Sequence, residues 1–333
     1  MRDKKGIFTY IQSATPGSPV DGDTWFDPAS GVAKVWWAAG SVWHEFRLSA
    51  GAAGYFSTNQ ATNLQKIVFT TEAISSLSSG IHLACNGPAG LAGPANGYWC
   101  GGFVNPTQYS TLSRLIFSSE TCGTISTTMG AVGHAISGNH SSAAGYINGG
   151  SISGAASTLV QRLLFSTEAR TNLTSGLTAA RYYVGSFQSA GSGYSGGGFQ
   201  PTGSIVYSLV DRLLFVNETV ASIASNMGVL LYARGGGQSL SSGYWTGGYT
   251  GAANVSRIDK LTFASEVTSS LSSTLSAIFN QNATVCSLVN GYVAYTNTQL
   301  NRLAFDNDTV SSVVSSFALV TSAGNDSGVE RMN

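Results

Sequence analysis

The stretch that decides the fold is Gly145-Tyr146-Ile147-Asn148-Gly149-Gly150, followed along the chain by Arg162-Leu163-Leu164-Phe165 and then by Glu168. Short apolar runs bounded by glycine are typical of β-strands, and the paired glycines mark a place where the chain leaves a sheet. The same order of Gly-Tyr, basic-apolar-x-Phe and acid returns along the chain. A repeat of this kind determines the architecture, so the rest of the sequence is interpreted from it.

Six copies of this unit occur, and their spacing is regular. The Gly-Tyr element begins at Gly54, Gly97, Gly145, Gly193, Gly243 and Gly291. The basic residue is Lys66, Arg114, Arg162, Arg212, Lys260 or Arg302, and the Phe is Phe69, Phe117, Phe165, Phe215, Phe263 or Phe305. The acid is Glu72, Glu120, Glu168, Glu218, Glu266 or Asp308. Each Phe lies 28 residues before the next Gly-Tyr glycine, whereas the step from glycine to Phe varies from 14 to 22 residues, so one loop takes every insertion.

A unit of about 48 residues with several short apolar runs is typical of a propeller blade of four strands. Gly-Tyr forms one strand, residues 159–165 form a second, and the Ser/Thr-rich stretch after the acid forms a third. Residues 181–187 form a fourth strand, which leads into the next Gly-Tyr. Glycine density, β-branched residues and the lack of a 3.6-residue period disfavour a helical solenoid. The sequence therefore predicts an all-β chain in which residues 51–333 form a six-bladed β-propeller of four-stranded blades.

The two ends of the repeat predict how the ring closes. Adding 28 to Phe305 gives residue 333, the last one, so the sequence stops where a seventh Gly-Tyr would begin. The first copy, at Gly54, has no full strand before it. We therefore expect a C-terminal stretch that begins at Phe317 to pair beside Tyr55 and complete the first blade. Closure of this kind removes the open edge that would favour aggregation.

The repeat resembles that of kelch-type β-propellers over roughly residues 50–333. The resemblance rests on Gly-Tyr-x-x-Gly-Gly, on the apolar strand that follows, and on Leu-x-x-Ala-Arg at residues 177–181. Two features depart from the kelch pattern: a Phe with an acid three residues later replaces the Tyr-Asp pair, and the blade tryptophan is missing. The resemblance therefore implies the architecture, and no kelch function is carried over.

The first fifty residues form a separate, tryptophan-rich segment. Four of the six tryptophans lie there: Trp25, Trp36, Trp37 and Trp43. The apolar runs that carry them are separated by turn residues at positions 28–31 and 39–40, which predicts a three-stranded β-meander of about thirty residues. Because so small a module cannot bury its aromatic side chains alone, we interpret residues 1–50 as an attachment or oligomerisation module.

This segment reads Ser-Pro-x-x-Gly-Asp-x-Trp-x-Asp, then Gly-x-x-x-Val-Trp, then Gly-Ser-x-Trp, and it resembles small modules of bacteriophage tail fibres and related virion proteins. The resemblance implies a structural virion protein, a tail fibre or adhesin, that displays the propeller for host-surface recognition. Its partners would be other virion proteins, bound through residues 1–50, and a host-surface glycan or protein, and we expect a homo-oligomer. The opening residues lack the apolar segment of a secretory signal, which agrees with assembly in the host cytoplasm.

Composition disfavours several other classes of protein. The 333 residues include 16 Lys+Arg and 16 Asp+Glu, and this balance argues against nucleic-acid binding, which needs a basic surface. No apolar run approaches the roughly 18 residues that span a bilayer, so we expect no membrane insertion. The four cysteines form no Cys-x-x-Cys pair, which argues against a zinc site or a disulfide framework: Cys85, Cys100, Cys122 and Cys286.

The titratable residues predict neither an enzyme nor a cofactor or metal site. A general acid or base needs an environment of its own, whereas the six acids recur with the repeat and are expected to serve as ion pairs or turn acceptors. His134 and His140 lack a third ligand at metal spacing. The Ser-x-Asp-x-Gly-x-Thr-Trp box of sialidase-like propellers is also absent from the sequence.

The variable loop after Gly-Gly carries the candidate binding residues, because binding residues concentrate on loops held by a rigid scaffold. By strand parity these loops lie together on one face of the ring, where aromatic side chains can stack on sugars or anchor a protein. The candidates are Phe103, Tyr109, Phe199, Tyr207 and Tyr249. Packing of these rings between blades is an equal alternative. Two other functions stay open: a capsid or tail decoration protein without receptor binding, and a glycan-cleaving propeller enzyme.

Overall fold

The computed structural model describes residues 9–11, 15, 17, 24–27, 32–37, 42–46, 53–57, 62–82, 84, 86–232, 234–278, 282–295, 299–313 and 328–330. Within these residues the chain is all-β and contains no helix, and most strands belong to four-stranded antiparallel sheets. The prediction of an all-β fold is therefore confirmed.

The strands before residue 50 form one sheet, called here the N-terminal sheet. Its strands are β1 (Thr9–Ile11), β2 (Thr24–Asp27), β3 (Val32–Trp37) and β4 (Val42–Phe46). The last three pair antiparallel in sequence order, as the meander pattern predicts, with Trp36 opposite Trp43. β1 adds a parallel partner for β2 that the sequence analysis did not predict, since three residues are too few to show an alternation.

The repeat forms six further sheets of four strands, numbered 1 to 6 along the chain. Sheet 1 contains β5 (Ala53–Ser57), β6 (Asn63–Val68) and β7 (Ala73–Gly80). Sheet 2 contains β8 (Ala89–Ala92), β9 (Asn96–Val104), β10 (Thr107–Ile116) and β11 (Thr121–Thr128). Two short strand groups flank the next sheets: β12 (Gly133–His134) with β15 (Ser151–Ile152) and β16 (Ala155–Ala156), and β21 (Phe199–Gln200) with β22 (Ile205–Val206).

The other four sheets have the same strand order. Sheet 3 contains β13 (Ser137–His140), β14 (Ala144–Asn148), β17 (Val160–Leu164) and β18 (Arg170–Asn172). Sheet 4 contains β19 (Gly185–Gln188), β20 (Ser192–Gly196), β23 (Val210–Leu214) and β24 (Thr219–Ser222). Sheet 5 contains β25 (Gly235–Gln238), β26 (Ser242–Thr246), β27 (Ile258–Thr262) and β28 (Val267–Ser270). Sheet 6 contains β29 (Ala283–Cys286), β30 (Asn290–Tyr295), β31 (Gln299–Ala304) and β32 (Thr309–Val313).

Sheet 1 is completed from the far end of the chain. Its first strand is β33 (Gly328–Glu330), which pairs antiparallel with β5 and places Val329 opposite Tyr55. The expected C-terminal pairing beside Tyr55 is therefore confirmed for residues 328–330. The stretch that was expected to begin it, residues 317–322, lies outside the described residues.

The six sheets contact one another in a cycle. The first strand of each sheet contacts the first strand of the next, and β29 of sheet 6 contacts β33 of sheet 1. Glycine permits this close approach. A Cβ on Gly138 would lie 2.2 Å from the carbonyl oxygen of Gly90, and a Cβ on Gly236 would lie 1.9 Å from that of Ser186. Because a side chain cannot occupy such a space, these positions fix how closely the first strands pack.

The core lies between neighbouring sheets rather than within any one of them. Each of the six hydrophobic clusters in the described residues combines side chains of two adjacent sheets, and the cluster of Phe56 and Val285 joins sheet 1 to sheet 6. Both faces of the second strands are buried, as in β20, because each of these sheets has a neighbour on either side. Apolar burial therefore links the sheets in the same cyclic order as the first-strand contacts.

The connections between strands lie at the two opposite ends of the strands, and each end is called here an edge of the sheet. Antiparallel neighbours reverse direction, so the turns between first and second strands and between third and fourth strands share one edge, which we call the turn edge. In sheet 4 these turns are residues 189–191 and 215–218. The opposite edge, the loop edge, holds the connections between second and third strands and between successive sheets. In sheet 4 these are residues 197–209 and 223–234.

Candidate functional site

Each acid of the repeat lies at the turn edge and accepts hydrogen bonds from the preceding sheet. Tyr146 Oη donates to Glu218 Oε1 over 3.1 Å, and Arg162 Nη1 donates to the same oxygen over 3.0 Å. We call each such group of a tyrosine, a basic residue and an acid a clamp. The six clamps are Tyr55, Lys66 and Glu120; Tyr98, Arg114 and Glu168; Tyr146, Arg162 and Glu218; Tyr194, Arg212 and Glu266; Tyr244, Lys260 and Asp308; and Tyr292, Arg302 and Glu72.

The backbone of each clamp acid is held in an unusual conformation. Glu218 has a φ of 57°, and the other five acids have φ between 52° and 57°, a left-handed region that L-residues rarely adopt. The amide of Glu218 donates to the carbonyl oxygen of Leu214 over 2.8 Å and so closes the turn. Burial, and then the charge of Glu218, raise the pKa of Tyr146 to about 12, so its phenol keeps the proton it donates. The expectation that these acids form ion pairs is confirmed.

The sequence did not show which base each acid would meet. Glu168 lies six residues after Arg162 in the same unit, yet its partner is Arg114 of the preceding sheet. The last clamp joins Arg302 of sheet 6 to Glu72 of sheet 1, with Arg302 Nη1 2.9 Å from Glu72 Oε1. The clamps therefore follow the same cycle as the sheets.

Sheets 4 and 5 contain two buried arginines near the loop edge. Arg181 Nη2 lies 3.0 Å from Asp211 Oδ2, Arg234 Nη1 lies 2.7 Å from Asp259 Oδ2, and none of these four side chains is more than 1% exposed. Burial is the largest single influence on the pKa of Asp259 and would raise it, but the charge and hydrogen bond of Arg234, with hydrogen bonds from Ser270 and Arg257, together lower it. Both arginine charges are therefore neutralised inside the protein.

The five aromatic residues selected from the sequence all lie at the loop edge and are half-buried: Phe103, Tyr109, Phe199, Tyr207 and Tyr249. Phe103 stacks on His134, with 4.8 Å between the ring centroids. Tyr207 Oη donates to Gln200 Oε1 over 2.6 Å, and its ring lies 5.9 Å from the guanidinium carbon of Arg181. Tyr109 lies opposite Gly102 in the pairing of β10 with β9.

Phe199 and Tyr249 come together through residues that the sequence pattern did not indicate. Tyr232 stacks on Phe199 with centroids 5.0 Å apart, and it meets Tyr249 edge to face at 5.3 Å and 82°. Tyr182 meets Phe199 at 74° and Tyr183 at 73°, and Tyr183 in turn lies 6.1 Å from Tyr232. We call these five residues the tyrosine cluster; it lies between sheets 4 and 5.

Backbone pairing positions the rings of the tyrosine cluster. Tyr182 and Phe199 exchange backbone hydrogen bonds of 3.0 and 2.9 Å, and Tyr232 and Tyr249 do the same at 3.1 and 2.9 Å. Burial raises the pKa of Tyr182, Tyr183 and Tyr232, so their phenols are uncharged near neutral pH. One sequence signal was available for the missed residues, since Tyr182 and Tyr232 are 50 residues apart, as are Gly193 and Gly243.

A cavity of about 90 Å³ lies among the first strands of sheets 2 to 6. Its lining is mainly glycine and uncharged polar residues, with His140, Gln188 and Gln238 at equivalent positions of three sheets. Burial lowers the pKa of His140 to about 4. Its Nε2 lies 3.0 Å from the side-chain amide of Gln188, and its Nδ1 accepts from the amide of Ala92 over 3.4 Å. At neutral pH this cavity is therefore polar but holds no charged histidine.

The candidate attachment residues lie on the strands of the N-terminal sheet: Trp25 on β2, Trp36 and Trp37 on β3, and Trp43 on β4. Their side chains, and the thiol of Cys85, lie outside the described part of the chain. Cys100 and Cys286 are buried, and Cys122 is half-buried. In the part of the chain that the structure describes, no three His, Cys, Asp or Glu side chains are grouped so as to hold a metal ion, and no helix has the length and apolarity needed to cross a bilayer.

A comparison with models of known protein families found no match, and a comparison with curated protein sequences found none either.

Proposed function

We propose that this chain is a structural virion protein, a tail fibre or adhesin, whose six repeat sheets are the blades of a β-propeller with the loop edge turned toward the host surface. The observation that carries this proposal is the cycle of six clamped sheets, whose loop edge differs between units and contains the tyrosine cluster. A rigid ring whose loops differ in sequence at one edge is the arrangement expected of a recognition protein.

Three independent sets of contacts support the propeller. First strands, hydrophobic clusters and clamps each link the sheets in the order 1 to 6 and then link sheet 6 to sheet 1. β33, from the C-terminal region, supplies the first strand of sheet 1. A ring of four-stranded sheets around a narrow central cavity is the architecture of a six-bladed propeller.

The arrangement of charged groups supports a recognition protein over an enzyme. All six repeat acids take part in clamps, and Asp211 and Asp259 are paired with buried arginines. The pKa of His140 is about 4, so this histidine is not poised to transfer protons near neutral pH. These groups stabilise sheets and turns.

The N-terminal sheet is the proposed attachment module, through which the chain would bind other virion proteins or copies of itself. Four short strands carrying four tryptophans offer too little interior to bury those side chains. The resemblance of residues 18–43 to tail-fibre modules supports the same assignment.

Immunogold labelling tests the virion assignment. Antibody raised against the recombinant chain is applied to particles purified from lysates of the cells that make the protein, and the copy number is measured on denaturing gels. We expect label at the tail or its fibres, with a copy number that matches a symmetric oligomer. Unlabelled particles would contradict the proposal. Label on the capsid, together with fluorescent protein that does not bind host cells, would instead favour a decoration protein.

A further inference from the structure

We propose that the tyrosine cluster is a binding site for an uncharged saccharide. This inference rests on the proposed function, because it specifies what the loop edge recognises.

The cluster combines one stacked pair, Phe199 and Tyr232, with rings set steeply against it. Tyr232 and Tyr249 meet at 82°, and Tyr182 stands at 74° to Phe199. A ligand between two such rings contacts the face of one ring and the edge or hydroxyl of another. The C–H groups on one face of a pyranose ring are attracted to the negative face of an aromatic ring, while its hydroxyls exchange hydrogen bonds with phenols.

The backbone at Tyr183 has a left-handed conformation that also occurs at the equivalent positions of two earlier units. Tyr183 has a φ of 60°, and the equivalent residues 96 and 48 positions earlier are Gly87, with a φ of 61°, and Ala135, with a φ of 52°. A bulky side chain in this region is an outlier, whereas glycine adopts it freely. At the two earlier positions the residue is glycine or alanine, whereas Tyr183 keeps a large side chain in this conformation, and its ring extends the cluster toward Tyr232.

The cluster is electrically neutral. Its four tyrosines and one phenylalanine carry no charge, and the neighbouring Arg181 and Arg234 are buried and paired with carboxylates. A sialylated, sulfated or phosphorylated ligand would lose its hydration here without gaining an opposite charge. The ligand that fits is therefore uncharged.

The extent of the cluster favours a small rigid ligand over a protein. A stable protein interface buries roughly 800 Å² on each partner. The tyrosine cluster consists of five rings shared by two adjacent sheets, an area suited to a few sugar rings. Tyrosine also orders with little loss of side-chain entropy, which suits a shallow site.

The repeat itself supplies variants that preserve the fold. Tyr232→Asn introduces the residue that sheet 2 carries as Asn86, which makes the same backbone bridge to Phe103 that Tyr232 makes to Tyr249. Tyr183→Gly introduces the residue that stands at position 87 with the same φ. The matched control is Leu240→Ala, at an exposed position of the turn edge where sheet 4 carries Ala190.

The probe is an array of neutral hexose and N-acetylhexosamine oligosaccharides with sialylated and sulfated versions beside them, followed by titration calorimetry on the oligosaccharide that is retained. We expect the full chain to retain neutral oligosaccharides. Tyr232→Asn and Tyr183→Gly should each weaken binding about tenfold or more, and Leu240→Ala should leave it unchanged.

Two array results would overturn the inference: the chain retains no neutral oligosaccharide, or it retains only acidic ones. Binding by Tyr232→Asn and Tyr183→Gly that is as tight as that of the native chain would also overturn it. So would binding to host cells that is abolished by protease treatment of the cells and not by periodate treatment. The immunogold experiment separates this inference from the proposed function. Labelled tails with no saccharide binding refute the site alone, while saccharide binding by a protein absent from the particle refutes the virion assignment alone.

Discussion

The turn edge and the loop edge of the six repeat sheets are built by different rules. At the turn edge the same clamp occurs six times, with the same backbone conformation at every acid. At the loop edge, sheets 4 and 5 have buried arginine pairs and an aromatic cluster, whereas sheet 2 has Asn86 and Phe103 at the corresponding positions. Contacts between successive sheets are therefore uniform at the turn edge, and the sequence varies between units at the loop edge.

The largest loss in the free energy of unfolding is expected at the loop edge, in the buried pair of Arg234 and Asp259. Asp259→Ala leaves Arg234 buried without its carboxylate, and breaking a buried pair in this way costs about 3–5 kcal/mol. Urea denaturation measures the free energy of unfolding. Asp259→Asn, which introduces the residue that sheet 6 carries as Asn301, keeps an acceptor for Arg234 and should lose less. If Asp259→Ala were as stable as the native chain, the buried pair of Arg234 and Asp259 would contribute nothing to stability.

A second prediction concerns His140, which lines the cavity among the first strands at a position where sheets 4 and 5 carry glutamine. Burial lowers its pKa from 6.5 to about 4, so the unfolded chain binds a proton that the folded chain excludes. Stability is complete above pH 6.5 and falls as the pH drops toward 4, by about 3 kcal/mol from this group. His140→Gln should lose correspondingly less stability over that range. Parallel stability curves for the two proteins between pH 4 and 7 would contradict the assignment.

A third prediction separates the two roles of a clamp acid at the turn edge. Glu218→Ala removes the acceptor for Tyr146 and Arg162 and should lower the free energy of unfolding by about 1–2 kcal/mol, because the group is partly exposed. Glu218→Gly loses the same bonds but relieves the left-handed backbone, so it should be about 1 kcal/mol more stable than Glu218→Ala. Thermal and urea unfolding compare the two variants. If Glu218→Ala were more stable than Glu218→Gly, the left-handed backbone at Glu218 would not cost stability.

The sequence predicted the parts of the fold that depend on neighbours along the chain. Constant spacing from Phe to Gly-Tyr predicted the units and their strands, and the incomplete unit at Gly54 predicted a C-terminal partner for Tyr55. It did not predict that Glu168 would meet Arg114 instead of Arg162, because each unit carries both an acid and a base. Only the packing of neighbouring sheets selects between them.

The candidate site was predicted less completely. Phe199 and Tyr249 follow Gly-Gly and were selected on that basis, but the rings that join them, Tyr182 and Tyr232, precede the first strands of their sheets. Residues 17 positions apart in sequence meet there through a backbone bridge that no local pattern marks. The αL conformation of Tyr183 is likewise invisible in a sequence that places glycine at the equivalent position of only one unit.

The most direct test of the cyclic arrangement is a double-mutant cycle on the clamp that joins its two ends. Arg302 and Glu72 are 230 residues apart in sequence and meet only if sheet 6 packs on sheet 1. The free energy of unfolding is measured for Arg302→Ala, Glu72→Ala and the double variant, and likewise for Arg162 and Glu218, which join consecutive sheets. We predict favourable coupling energies of about 0.5 kcal/mol that agree between the two clamps. Coupling between Arg162 and Glu218 with none between Arg302 and Glu72 would contradict the closed cycle.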